Sequence, residues 1–320
     1  MSTDNKETMK AAYIDEYGEP ESLKTGKLER PEPGEGELLI RIGAAGVNPV
    51  DAAVVQGMLK DAIPGEFPLI PGWDVAGTVA ARGHAARRFE EGDEVYAYAR
   101  RPKIHHGTFA EYIVLPEAYL ALKPKMLSIE QAGAVPLTGL TAYQSLFDAG
   151  DLKKGETIVI LGASGGVGTF AIQLASWRGA RVIGVAGSSN QEYMKELGAD
   201  ETIDYSAGDV GDAVRELAPE GVDMIYHCSR GDSLSQCNDT LKEGGRLISI
   251  TNSNPDRRED IRFEYVFVEP NAAQLNLLAK LCDDGDLDVV ITQKWPLEKA
   301  GEALESISKL HTRGKTVVTV

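Results

Sequence analysis

A chain of 320 residues with 42% hydrophobic content is long enough for two domains, and its formal net charge of −16 argues against nucleic acid or an anionic membrane as a partner. No apolar run approaches the roughly 20 residues of a membrane span, and residues 1–8 are polar, so a short disordered extension on a cytoplasmic protein is expected. Cys228, Cys237 and Cys282 show no paired spacing, which suits reduced core thiols better than a disulfide scaffold or a metal site.

From Met9 two short alternating segments are separated by Pro31, Pro33, Gly34 and Gly36, punctuation that argues for a β-rich first domain. Further strands are expected at 75–80, 94–98, 109–114 and 121–123, with little helix before Ser128. The segment IEQAGAVPLTGLTAYQSLFDAG then reads as helical. Beyond it strands (157–161, 181–186, 201–203, 222–227, 246–250, 265–268) alternate with helices (167–177, 191–197, 210–217, 233–241, 272–282). Such alternation predicts an α/β fold with a doubly wound parallel sheet. After Gly285 a strand at 287–291, a helix at 297–309 and a last strand at 315–320 fall outside this repeat and are expected to return to the first domain.

The stretch TIVILGASGGVGTFAIQLASWRGARVIGVAG organises the second half. Its first strand is an unbroken aliphatic run suited to a parallel strand covered on both faces. Ala163, Gly165 and Gly168 then stand in the spacing of a dinucleotide fingerprint, with alanine at the first glycine position. Gly165 admits a pyrophosphate to the backbone, Gly168 brings the helix close to the sheet, and the turn Ala163, Ser164, Gly165, Gly166, Val167, Gly168 presents free N–H groups to phosphates. No lysine follows Gly168, so a phosphate loop of the Walker kind is excluded.

Several motifs together resemble the zinc-independent medium-chain dehydrogenases/reductases, the quinone oxidoreductase and enone reductase branch. They are MKAAYIDEYGEPE, GVNPVD, PLIPGWDVAGTV, FEEGDEVYA, GTFAEY, AVPLTGLTAYQSL, GASGGVG, LGADETIDY, LKEGGRLISI and HTRGKTVV, in the family's order. The resemblance implies a GroES-like catalytic domain at 9–127, a Rossmann cofactor domain at 128–284, a returning segment at 285–320, and a cofactor in the cleft between domains. Zinc alcohol dehydrogenases share that architecture. In this chain Asn48 stands at the family's first cysteine ligand, Trp73 at the histidine of its GHE motif, and the four-cysteine lobe is missing, so no metal is expected. The pair His105 and His106, in the basic loop RRPKIHHG, has no carboxylate or thiol at ligand spacing and reads as a solvated loop or substrate rim.

An acidic residue closing the second strand of such a unit would take the ribose hydroxyls of NAD. Here Gly187, Ser188 and Ser189 stand there instead, which points to NADPH, although the lysine common in relatives is absent at Ser189. Tyr205 matches a family tyrosine that approaches the 2′-phosphate; packing at a strand end is the other reading. By resemblance Thr138, Ile250, Val266 and Val268 lie near the cofactor, and Asn48 and Asp51 on the catalytic side. Asn48 reads either as a donor to a substrate oxygen or as a turn residue before Pro49, and Asp51 as a structural acceptor. Relatives carry a polar side chain at Ala53 or Val55, so no proton donor is obvious, and water can supply that proton. Tyr96 and Tyr98 read as donors or as aromatic walls, with Trp73 and Phe267 favouring flat conjugated acceptors.

Without a Lewis acid, substrates that accept hydride readily are favoured, which means quinones or the β-carbon of α,β-unsaturated carbonyls. The expected protein is a zinc-free, NADPH-dependent reductase of such molecules. It is expected to form a homodimer through an apolar edge at 265–268. The alternatives are a cofactor-binding protein without turnover and, less favoured, an alcohol dehydrogenase.

Overall fold

The computed structural model describes residues 7–308 and 313–320. Residues 1–6 of the expected extension, the last residue of the helix placed at 297–309, and the first two of HTRGKTVV lie outside the described residues. The first strand, β1 (Thr8–Tyr13), begins inside the expected extension, and it pairs antiparallel with β2 (Lys24–Glu29). The segment read as one strand before Pro31 is therefore two.

Next come β3 (Glu37–Val47), α1 (Pro49–Val55), β4 (Asp74–Arg82), β5 (Glu94–Tyr98), β6 (Tyr112–Pro116) and β7 (Leu120–Leu122). β3 is buried along most of its length because it pairs with β4 and β6 and its far end takes a third partner. The long helical stretch after Ser128 is broken by Pro136, which lacks the N–H a continuing helix needs. It becomes α2 (Ile129–Gly133), α3 (Pro136–Tyr143) and a π-type turn at Gln144–Ala149. The Ser128 hydroxyl accepts from the Gln131 N–H and the Gln131 side chain accepts from the Ser128 N–H, a reciprocal cap that fixes the start of α2.

The alternating half follows in order: β8 (Thr157–Leu161), α4 (Gly166–Arg178), β9 (Arg181–Ala186), α5 (Gln191–Glu196), β10 (Glu201–Asp204), α6 (Val210–Leu217), β11 (Val222–His227), α7 (Ser233–Cys237), β12 (Leu241–Ser249), β13 (Arg262–Tyr265) and α8 (Ala272–Asp284). Its six strands form one parallel sheet in the order β10-β9-β8-β11-β12-β13, so the order reverses beside β8, where such sheets open a ligand crevice at their carboxyl ends. Gly179, at φ 81°, ends α4 in the left-handed conformation.

Two expected strands are corrected. The last strand of this sheet is Arg262–Tyr265, not 265–268: the Val266 N–H still donates to the Ser249 carbonyl, but then the chain leaves. Gln144 holds it there, accepting from the Glu269 N–H (3.0 Å) and donating to the Glu269 carbonyl (2.8 Å). The sheet edge is therefore polar, with Arg262 paired to Glu264 along it. The strand expected at 287–291 begins at Ile291 instead, because the Asp288 N–H and carbonyl are bonded to the Gln173 side chain of α4 rather than to a ladder.

The chain ends with β14 (Ile291–Pro296), α9 (Ala300–Ser308) and β15 (Lys315–Thr319). β15 lies between β14, parallel, and β3, antiparallel, completing a seven-stranded sheet that the first part of the chain began. Among the described residues no helix is long and apolar enough to cross a membrane.

Candidate functional site

At the carboxyl end of β8 the turn into α4 is made by backbone. Gly162 takes φ 88°, so the left-handed residue is the one before Ala163, and Ala163 is buried behind it. A Cβ on Gly168 would sit 2.3 Å from the Gly162 carbonyl oxygen and 2.6 Å from the Ala163 Cα, so packing alone demands glycine there. Gly165 is different. A Cβ on it would meet only the Gly162 oxygen at 3.4 Å, so protein packing supplies no reason for its bareness. An uncovered backbone beside the N–H groups that open a 13-residue helix fits the diphosphate of a dinucleotide.

The loop leaving β9 places Gly187, Ser188 and Ser189 along the same crevice edge. Gln191 pins it by donating to the Ala186 and Gly187 carbonyls, both at 3.1 Å. A Cβ on Gly187 would stand 3.3 Å from the Tyr205 hydroxyl, so Tyr205 is brought to this loop, and its ring is half exposed rather than packed away.

A polar cluster that sequence reading did not assemble lies on the other side of the turn. Asn48 caps α1, its N–H donating to Asp51 Oδ2 at 2.8 Å. Its side-chain Nδ2 donates to Asp74 Oδ2 at 2.9 Å, and its Oδ1 accepts from Lys315 Nζ. Asp74 Oδ1 accepts from the Leu137 N–H at 2.6 Å, and Lys315 Nζ lies 3.7 Å from Asp74 Oδ2. Gly46 makes room: a Cβ on it would stand 2.6 Å from Asp74 Oδ2. The cluster thus joins the starts of α1, β4, α3 and β15, and all four of its side chains are buried.

Burial sets the charges. It pushes the Asp51 carboxyl up to about 8, raises Asp74 against the opposing pull of the Lys315 ammonium, and lowers Lys315 itself. Lys315 is paired with Asp74, and near neutral pH Asp51 holds a proton. Asp51 Oδ1 has no hydrogen-bond partner, a lack that costs a neutral carboxyl less than a carboxylate. Asp51, read from sequence as a structural acceptor, accepts the Asn48 N–H and closes the start of α1.

Lys315 also touches the cofactor turn. A Cβ on Gly166 would meet Lys315 Cδ at 3.1 Å and Thr138 Cγ2 at 3.4 Å, so the turn and the cluster abut there. Thr138 spends its hydroxyl on the Ala134 carbonyl and presents its methyl group. Trp73 and Tyr98 are buried edge to face, with centroids 6.1 Å apart, and the Tyr98 hydroxyl has no partner. Tyr96, expected on the pocket wall, is fully buried and donates to the Leu275 carbonyl of α8 at 2.5 Å. Phe267 is partly exposed beneath the Arg100 guanidinium, 5.0 Å from its ring centroid. Ile250 donates its N–H to the His227 carbonyl, and Val268 is buried near the Gln144 clamp.

The Asn48 amide, with its oxygen taken by Lys315 and one N–H by Asp74, and the Trp73 indole occupy the expected ligand positions, and among the described residues no three His, Cys, Asp or Glu side chains converge to hold an ion. His105 and His106 stack at 4.0 Å without a third ligand.

Residues 34–125 match the alcohol dehydrogenase GroES-like domain and residues 197–318 match a zinc-binding dehydrogenase domain. The chain is 32% identical to the chloroplast envelope quinone oxidoreductase homolog of Arabidopsis thaliana over 97% of this chain and 98% of that one. It is 33% identical to the chloroplastic NADPH-dependent alkenal/one oxidoreductase of the same plant, over 97% of this chain and 79% of that one. Among solved structures it is similar to the quinone oxidoreductase from Coxiella burnetii, with a TM-score of 0.88, 31% identity, and coverage of 98% of this chain and 100% of that one.

Proposed function

This chain belongs to the medium-chain dehydrogenase/reductase family, in its quinone oxidoreductase and enone reductase branch, and from that premise we propose a zinc-free, NADPH-dependent reductase of quinones or α,β-unsaturated carbonyls. The observation that carries this reading is the abutment at Gly166 of the glycine turn and a buried Asn48–Asp74–Lys315 cluster, in which Asn48 stands where zinc relatives have their first cysteine ligand. An acceptor that needs no Lewis acid suits such a site.

Bound NADPH supplies the hydride. The residues of the chain do the rest. Backbone N–H groups at Gly166 and Val167, which open α4, hold the diphosphate, and Ser188, Ser189 and Tyr205 face the adenosine ribose. Trp73, Tyr98 and Phe267 form the walls against which a flat acceptor lies, keeping water from the reacting atoms. The Tyr98 hydroxyl, buried without a protein partner, is the donor best placed to meet an acceptor oxygen as charge builds on it. Asn48 is held inward by Asp74 and Lys315, so it supports the cleft floor before it offers its remaining amide hydrogen. A homodimer through the open edge of β13 completes the proposal, and a monomer in sedimentation at micromolar concentration would remove that part.

Steady-state rates with NADPH and NADH against 1,4-benzoquinone, 9,10-phenanthrenequinone and a set of enones test the activity. Turnover of at least one acceptor, faster with NADPH, is expected. Failure of every acceptor with dinucleotide binding intact would leave a binding protein, and stoichiometric zinc in metal analysis would overturn the metal-free reading.

A further inference from the structure

The loop that follows β9 carries no cation between Gly187 and Gln191, although a 2′-phosphate needs one. A cation arrives from the far end of the chain. The Arg313 guanidinium donates through Nη2 to the Ser189 carbonyl at 2.8 Å and through Nε to Asn190 Oδ1 at 3.1 Å. It lies over the ring of Tyr193, 4.7 Å from the centroid. That ring is itself fixed, because the Tyr193 hydroxyl lies 3.1 Å from the Thr169 hydroxyl of α4. The next residue, Gly314, donates its N–H to the Ser164 carbonyl of the glycine turn at 3.1 Å. Arg313 is therefore anchored on both sides of the crevice edge.

Those contacts are with a carbonyl, an amide oxygen and a ring face. None carries a formal charge, so they orient the guanidinium without neutralising it, and they engage only two of its five N–H groups. The planar fork is suited to a phosphate dianion, which it meets with parallel hydrogen bonds. The loop is bounded by the Tyr205 hydroxyl at Gly187 and by Arg313 at Ser189 and Asn190.

We propose that Arg313 is the specificity-determining residue that recognises the 2′-phosphate of NADPH, supplied to the β9 loop by the segment leading into β15. This rests on the NADPH reading given above. The segment's role is then double: it carries the selectivity charge at Arg313 and the buried ammonium at Lys315.

Calorimetric titration of the full chain with 2′,5′-ADP and with 5′-AMP tests it, since the two ligands differ only in the 2′-phosphate. Wild type is expected to prefer 2′,5′-ADP, and Arg313→Ala to lose roughly 10- to 100-fold in affinity for it, with 5′-AMP affinity changed by less than about twofold. Arg313→Lys should recover part of the loss, and Arg313→Gln, which keeps a planar donor, should lose it in the same way as alanine. If wild type does not distinguish the two ligands, the NADPH reading itself fails. If wild type distinguishes them and Arg313→Ala does so equally well, the assignment of Arg313 alone is overturned. Equal weakening of both ligands in Arg313→Ala and Arg313→Gln would make the residue a support for the loop, and overturn it too.

Discussion

The two halves of the candidate site are built in opposite ways. The glycine turn offers backbone, and what matters there is the absence of side chains at Gly165 and Gly168. The cluster of Asn48, Asp51, Asp74 and Lys315 is all side chain, drawn from four elements and sealed from water. A backbone site tolerates dilution of charge but not added atoms. A buried ionic site tolerates changes of shape better than the loss of one partner.

Lys315→Met breaks the comparison most severely. It leaves Asp74 buried without its cation and should cost about 3–5 kcal/mol in chemical unfolding. Adding Asp74→Asn to it should restore most of that loss, and a neutral Lys315→Met would show that the charges are not paired. Gly168→Val tests the other half, because its Cβ cannot be placed without moving backbone. A loss of about 3 kcal/mol or more together with dinucleotide binding is expected. Gly165→Ala is its control: thermal stability should hold, while dinucleotide affinity should fall about tenfold, close to 1.4 kcal/mol.

Titration sharpens the contrast further. The Asp51 carboxyl has a folded-state pKa of about 8 against an ordinary 3.8. The folded state therefore binds this proton more tightly than the unfolded state, and Asp51's contribution is full below 3.8 and lost as pH rises to about 8. Stability should fall across that window with a slope of up to about 1.4 kcal/mol per pH unit from this group, and Asp51→Asn should flatten the profile. An unchanged profile would mean that Asp51 is ionised in the fold. The smallest effect on stability is expected from Tyr98→Phe, within about 1 kcal/mol, because the lost hydroxyl had no partner. Its kcat/KM for a quinone should nevertheless drop about tenfold; unchanged kinetics would reduce Tyr98 to a wall.

Much of the fold was legible because its signals are local. Strand Glu94–Tyr98 and helix Val210–Leu217 were bounded to the residue, each by a periodic run with clear stops. The apolar YVFV after Glu264 does not extend the sheet: after the Val266 N–H the chain is drawn off by Gln144, which bonds both backbone groups of Glu269, and only Val268 of the four is buried, while the edge strand is RFEY. Likewise LDVV looks like a strand, yet both backbone groups of Asp288 serve Gln173 and the Val289 carbonyl serves Gln131. The glycine turn was readable in one window of sequence, although its left-handed residue, Gly162, stood one place before the pattern. The cluster was not readable, since Asn48 meets Asp74 across 26 positions and Lys315 across 267. An ammonium inside a hydrophobic strand, GKTVV, was the one available clue, because lysine is almost never fully buried unless paired.

β15 has a consequence for the order in which the molecule can be made. Lys315 and its partner at Val47 are separated by 268 positions, and β15 is an interior strand of its sheet. At about 5–20 residues per second, β3 waits roughly 13 to 54 s after leaving the ribosome for the strand that covers it. The parallel sheet, whose strands run from Thr157 to Tyr265, is complete in the chain well before that. During synthesis Asp74 and Asn48 remain without their ammonium until Lys315 is added. The nascent chain therefore holds a complete parallel sheet beside an incomplete first sheet, and a ribosome-stalled chain ending before Gly314 should leave the first sheet open to protease.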